Sequence, residues 1–285
     1  MKLINDKKIL IVGLGLIGGS YAISLKKKGF TVWAITKDEA SVQYAMAHGI
    51  VDYATTEVEE RLVREAELVI FALYPKVFLS WIKEYQHLFR PGTILTDVTG
   101  VKCSIVYEIQ AMLRDDVEFI AAHPMAGRES SGVENSTDAI FENANYIVVP
   151  TEKNTPEAIE LCLSLGRILG FRRVSQLSPA EHDKMIGFLS QLTHCIAVSL
   201  MCTNGDPLLC EYTGDSFRDL TRIAKINENM WSELFMMNQS VLLEQMDAFI
   251  AEISDFRALL ADGNVEGMKE KMRCSTERRK QFDKK

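Results

Sequence analysis

His123 closes an apolar run and is followed by Pro124-Met125-Ala126-Gly127-Arg128. A histidine at such a rim titrates near neutrality, so it can accept a proton or a hydrogen bond from a hydroxyl that is being oxidised. A second segment, Thr96-Asp97-Val98-Thr99-Gly100-Val101-Lys102, also ends a strand-like run. Open α/β sheets bind ligands outside the carboxyl ends of their strands, which would put both segments at one cleft. Further on, Ser190 and His194 fall one turn apart on a helix face. That spacing suits a metal, but no third ligand accompanies it, so a hydrogen-bonding pair at the cleft is expected and no metal. Arg218, Asp219 and Arg222 form a polar cluster shortly before Trp231. An arginine there can grip a carboxylate with two parallel hydrogen bonds, or it can pair with Asp215 and Asp219 on a helix surface.

The elements that must position these side chains begin at the N-terminus. Ile9 to Val12 reads as a strand buried on both faces, and it enters Gly13-x-Gly15-x-x-Gly18 and then a helix ending near Lys28-Gly29. Gly13 permits the tight turn, Gly15 lets backbone approach a pyrophosphate, and Gly18 lets helix and strand pack closely. The N–H groups of Leu16 and Ile17 open that helix and face the phosphates, helped by its dipole. This spacing in a strand–helix context predicts a bound dinucleotide, which Leu73 and Thr99 are expected to touch as well. An NAD site places a carboxylate at the end of the second strand; here Phe30 to Ile35 leads to Thr36 and Lys37. Both can bind a 2′-phosphate and neither repels it, while Asp38 and Glu39 read as caps of the next helix. The expectation therefore leans to NADP over NAD.

Through residue 177, short apolar strands alternate with amphipathic helices, which predicts a mostly parallel sheet covered on both faces. One of those strands is read over Val117 to Ala122, and the polar stretch from Met125 to Asn143 as a long loop. Ser178-Pro179-Ala180-Glu181 is a helix start signal, and beyond it no strand pattern remains. Residues 1–177 are thus expected to form a dinucleotide-binding α/β domain and residues 178–285 an all-helical one. Met230, Leu234, Met237, Val241, Phe249, Ile253, Phe256 and Leu260 recur at helical spacing. Such apolar content exceeds what one helical layer shows to water, and points to a homodimer through the helical domain.

Among the 285 residues 47% are apolar, enough for real cores, and the net charge of −7 argues against nucleic acid or acidic membrane as partners. No apolar stretch is read as reaching the ~20 residues of a membrane span. The charged start Met1 to Asp6 is no export signal. Cysteines 103, 162, 195, 202, 210 and 274 form no CxxC pair and read as reduced thiols in a soluble, cytoplasmic protein.

Taken together and in order, Gly13-x-Gly15-x-x-Gly18-Gly19-Ser20, Thr96 to Lys102, His123 to Gly127, Ser190-Gln-Leu-Thr-His194 and Phe217 to Ala224 resemble the prephenate dehydrogenase family, which includes arogenate dehydrogenases. The resemblance implies a Rossmann domain followed by a helical dimerisation domain, and NAD(P)-dependent oxidative decarboxylation of a cyclohexadienyl acid. It implies that His123 takes the hydrogen bond of the ring hydroxyl and that Arg222 holds a substrate carboxylate. Ser190, His194 and Trp231 would line the pocket beside Asp219, and Arg128 would favour prephenate over arogenate. Nothing after the helical domain suggests a fused or regulatory domain. The family often has serine where Gly100 stands, so Thr99 or a water must substitute, or that role is absent. Other two-domain hydroxy-acid dehydrogenases generally rely on a helical-domain lysine, whereas Ser190, His194 and Arg222 stand here. A catalytically silent dinucleotide sensor would have no use for His123 with Arg222.

Overall fold

The computed structural model describes residues 7–127 and 130–282. Its first half gives β1 (Lys8–Val12), α1 (Leu16–Lys27), β2 (Thr31–Ile35), α2 (Glu39–Ala47), β3 (Tyr53–Thr55) and α3 (Glu60–Glu65). These lead into β4 (Leu68–Phe71), α4 (Pro75–Tyr85), β5 (Ile94–Asp97), α5 (Cys103–Met112) and β6 (Glu118–Phe119). The strands form one parallel sheet in the order β3-β2-β1-β4-β5-β6, whose direction of winding reverses between β1 and β4. That crevice is where doubly wound sheets bind dinucleotides. Along β1, Ile9 and Ile11 enter one buried core and Leu10 and Val12 the other, so helices must cover both faces. The short β3 and α3 are too polar and brief to stand out in the sequence.

The single strand read over Val117 to Ala122 is in fact two. The chain leaves the first sheet after Phe119, and β7 (Ala121–Met125) is the edge of a second sheet with β8 (Asn145–Val149) and, after α6 (Pro156–Leu169), β9 (Arg173–Gln176). β7 runs antiparallel to β8, which is parallel to β9. His123 accordingly lies in the middle of β7 opposite Ile147, not at a strand end. The run is apolar throughout, so no change of period marks the switch of sheets. Pro124 fits because an edge strand has a side that needs no N–H.

The helical half begins as its start signal requires. Ser178 and Glu181 form a reciprocal capping box on α7 (Pro179–Ile186), which passes through a π turn (Gly187–Leu192) into α8 (Thr193–Thr203). This run of 25 residues contains an 18-residue window of mean hydropathy 1.6 and is, by length and composition only, long and apolar enough to cross a membrane, contrary to the sequence-based expectation. Its polar residues are mostly uncharged. Three of them, His182, Asp183 and Gln191, are buried and hydrogen-bonded within the fold. Next come α9 (Asp215–Thr221) and α10 (Glu228–Met237), with Leu234 of α10 set into a core of the first sheet.

By compactness the chain forms two units that divide after Asn238. Helices α7 to α10 join the first unit because Asp183 and Leu234 are tied into it. The second unit is a hairpin of α11 (Gln239–Ala261) and α12 (Val265–Arg279). Gly263 turns it at φ +64°, and Lys271 bridges Glu252 and Asp255 at 2.7 Å each.

Candidate active site

The glycine loop has the geometry a pyrophosphate needs. Gly13 sits at φ +102°, and a Cβ there would lie 2.4 Å from the Ala72 carbonyl oxygen. A Cβ on Gly18 would lie 1.9 Å from the Gly13 carbonyl oxygen, so helix and loop touch backbone to backbone. Beside Gly15 the space is open, with nothing within 4 Å of a Cβ. No side chain caps α1 and no acid stands in its first turn, which leaves the N–H groups at Leu16 and Ile17 for a ligand. Leu73 flanks the same turn, 3.0 Å from where a Gly13 Cβ would be. These residues fit a dinucleotide. The long loop after β7 also packs here, with the Ser136 hydroxyl 3.1 Å from the Leu16 carbonyl.

At the end of β2, Thr36 is half-buried and Lys37 is exposed. Asp38 caps α2, accepting from the Ser41 N–H at 3.0 Å and the Ser41 hydroxyl at 2.5 Å. Those bonds hold its carboxyl below the usual range and turn it toward its own helix.

Two neighbours on α7, His182 and Asp183, form a relay with His123, 59 residues away in sequence. Both oxygens of Asp183 are fixed by the first N–H groups of α5: Oδ1 accepts from Lys102 N and Oδ2 from Cys103 N, each at 2.8 Å. Asp183 Oδ1 also lies 2.7 Å from His182 Nδ1, and His182 Nε2 lies 2.9 Å from His123 Nδ1. The carboxylate can only accept, so His182 donates through Nδ1 and its Nε2 is a lone pair. His123 must then donate through Nδ1, which leaves its Nε2 as the acceptor. That nitrogen faces Gly100, 3.9 Å from where a Cβ would stand. The Thr99 hydroxyl is buried and turned to Asp97 and the Val101 carbonyl, so it does not replace a side chain at Gly100.

Burial, the neighbouring His182 and the Lys102 ammonium keep His123 well below the usual histidine value; burial likewise lowers His182. Burial alone would raise Asp183, but the bonds from His182, Cys103 and Lys102 outweigh it and its carboxyl lies lower than usual. The stability consequence has a definite sign. A histidine depressed in the folded state binds its proton more readily when unfolded, so folding weakens as pH falls. Below the ordinary value of 6.5 each ring should remove up to about 1.4 kcal/mol per pH unit. Thermal melts between pH 6.5 and 5, above the range where the carboxylates titrate, should show a falling Tm. A Tm that holds or rises on acidification would refute it.

The π turn sets the other wall. Twelve residues of α-helix would leave His194 roughly 120° round from His182, but a π turn absorbs one extra residue and reduces that to about 20°. His194 then stacks on Trp231, with ring centroids 3.7 Å apart, while His182 meets His123 close to Leu234 one turn along the same α10. His194 Nδ1 bonds the Ser190 backbone carbonyl at 2.8 Å, not the Ser190 hydroxyl. Gln191 bonds the Leu234 carbonyl, and Asn238 bonds both Gln191 and the Asp183 carbonyl, which locks the turn. Arg222 opens a short turn (Arg222–Ala224) packed on α8, and it is exposed like Asp219. Arg218 pairs with Asp215 at 3.6 Å, as the surface alternative proposed. Arg128 lies outside the described residues.

His182 and Asp183 escaped sequence reasoning. Their signal was the His-Asp pair just inside the capping box, the one ionisable pair there that a helix start does not call for.

Comparison with known proteins places the arrangement. The family description "Prephenate dehydrogenase, nucleotide-binding domain" matches residues 21–172, and "Prephenate dehydrogenase, dimerization domain" matches 178–274. The chain belongs to the prephenate dehydrogenase family. It is 31% identical over 268 residues to prephenate dehydrogenase of Bacillus subtilis, covering 91% of this chain and 72% of that one. Cyclohexadienyl dehydrogenase of Zymomonas mobilis is 28% identical, with 90% of this chain and 89% of that one covered. The crystal structure of Aquifex aeolicus prephenate dehydrogenase with hydroxyphenyl propionate and NAD+ superposes with a TM-score of 0.90 at 28% identity, over 99% of this chain and 100% of that one. The enzyme is accordingly an NAD(P)-dependent oxidoreductase of prephenate dehydrogenase type, with a nucleotide-binding domain followed by a helical one.

Proposed function

We propose that the enzyme oxidises prephenate to 4-hydroxyphenylpyruvate and CO2, with His123 as the acceptor for the ring hydroxyl. The relay Asp183–His182–His123 carries this reading, because it leaves Nε2 of His123 unprotonated beside Gly100. When bound, the nicotinamide supplies the hydride acceptor. His123 takes the hydroxyl proton as the carbinol carbon becomes a carbonyl. The ring carboxylate then departs as CO2, its electron pair makes the ring aromatic, and the phenolate oxygen recovers the proton from His123. Arg222 is assigned to a substrate carboxylate, with Ser190, His194, Trp231 and Asp219 around it, and Arg128 to the pyruvyl side chain. In this reading the functional division falls at 177/178.

Cofactor choice follows from the end of β2. Asp38 is held by Ser41, and Thr36 and Lys37 offer a hydroxyl and an ammonium, so NADP is the preferred cofactor. Initial rates with prephenate and arogenate, each with NAD and NADP, test both assignments. The highest kcat/KM is expected for prephenate with NADP. A clear NAD preference would return the ribose to Asp38, and no prephenate-dependent reduction would overturn the activity.

The partner is a second copy of the chain in the cytoplasm. Only 28% of the apolar window in Pro179–Thr203 is covered by the chain itself. Met185, Phe188, Leu189 and Met201 on that helix stand exposed. Burial of such a face drives obligate pairing. Equilibrium sedimentation should give twice the chain mass; a monomer at micromolar concentration would refute the pairing.

A further inference from the structure

Asp97 and Lys102 form an ion pair whose side chains are both 0% exposed, with Nζ and Oδ2 2.7 Å apart. The Lys102 ammonium also donates to the Ala122 carbonyl at 2.7 Å and the Thr99 hydroxyl oxygen at 3.2 Å. Three acceptors call for three N–H bonds; burial lowers the Lys102 pKa, and the Asp97 carboxylate beside it opposes that shift and favours the ammonium. Asp97 Oδ1 accepts from Ala122 N at 3.0 Å, while Oδ2 takes the Thr99 N–H and hydroxyl. Ala122 is therefore held at both its N–H and its carbonyl, on the side of β7 away from β8. These two side chains do what a neighbouring strand would do, splicing the edge of the second sheet to the end of β5.

Such a pair is a poor means of stabilising a fold, since desolvation offsets much of its attraction and apolar replacements are often as stable. Its geometry serves another end. Ala122 is the residue before His123, and the N–H of Lys102 itself anchors Asp183, which orients His182 and through it the His123 ring. Backbone and ring of His123 thus both refer back to one residue. We propose that Asp97 and Lys102 are positioning residues for His123, aiming its Nε2 at the substrate hydroxyl.

The charge of Lys102 acts on the same ring. Among the described residues, the ionisable groups around His123 are His182 and Asp183 on α7, Lys102 at the start of α5 and Asp97 at the end of β5, whereas α10 presents Leu234 and β8 presents Ile147. After burial and the neighbouring His182, the Lys102 ammonium also opposes protonation of His123.

The inference rests on His123 being the acceptor, so His123→Asn is measured in parallel. The test is the double variant D97L/K102M, which removes both charges at similar volume, beside the single variant K102M. With D97L/K102M folded and near the wild-type Tm, kcat should fall about 10²-fold, the effect of a misplacement on the order of 1 Å. KM for prephenate and for the cofactor should stay within about threefold, and the acid limb of kcat should move to higher pH. Wild-type kcat, an unmoved acid limb, or equal losses in kcat and both KM values would overturn the proposal. So would loss of the folded state in both variants, which would make the pair a folding element. If His123→Asn kept its activity, the acceptor reading would fail first; if that variant were inactive and D97L/K102M normal, only the positioning role would fall.

Discussion

Replacing His123 with asparagine should lower kcat by about 10²–10⁴-fold, the range for a lost general base or acceptor, with little change in binding. Asparagine keeps a polar group of similar reach, and its amide can still meet His182. What it lacks is a basic lone pair at the position of Nε2, where the hydroxyl proton must go. The acid limb of the wild-type kcat profile should lie below pH 6.5, because His123 is held below its usual value and must be neutral to act. Alkali should not restore the variant, since an amide does not titrate. A kcat within a few-fold of wild type would remove His123 from the mechanism.

On the proposed assignment, Arg222→Ala should weaken prephenate binding by roughly 2–5 kcal/mol, because a substrate carboxylate would lose its bidentate partner. In the single chain Arg222 is exposed, so the full effect requires substrate and a second copy to cover it. Arg218 is committed to Asp215 and to the Thr213 carbonyl, and its loss should matter less. Cofactor affinity should stay unchanged in Arg222→Ala, since the glycine loop lies on α1. Equal weakening of substrate and cofactor would show that Arg222 supports the turn on α8 instead.

The parts of this site that sequence made legible are those governed by neighbours along the chain. Gly13 and Gly18 announce themselves because only a residue without Cβ tolerates φ +102° or a 1.9 Å approach to a carbonyl oxygen. Ser178 and Glu181 cap a helix three residues apart, and Asp38 caps its own helix as its place suggests. The illegible parts depend on distant segments meeting. His123 and His182 are 59 residues apart, and no local period links them. The switch of sheets at Ile120 is hidden because both cores ask for the same apolar residues. Thr99 reads as a pocket hydroxyl until Asp97 is seen to claim it.

The π turn turns length into angle. In an ordinary surface loop a lost or gained residue is absorbed where it occurs, but between Gly187 and Leu192 it would be transmitted as rotation. Each residue is about 100° of helix, so removing one would swing His194 and everything after it on α8 away from Trp231 while leaving His182 in place. Chains that share this site are therefore held to the number of residues in that turn as well as to the Gln191 that locks it.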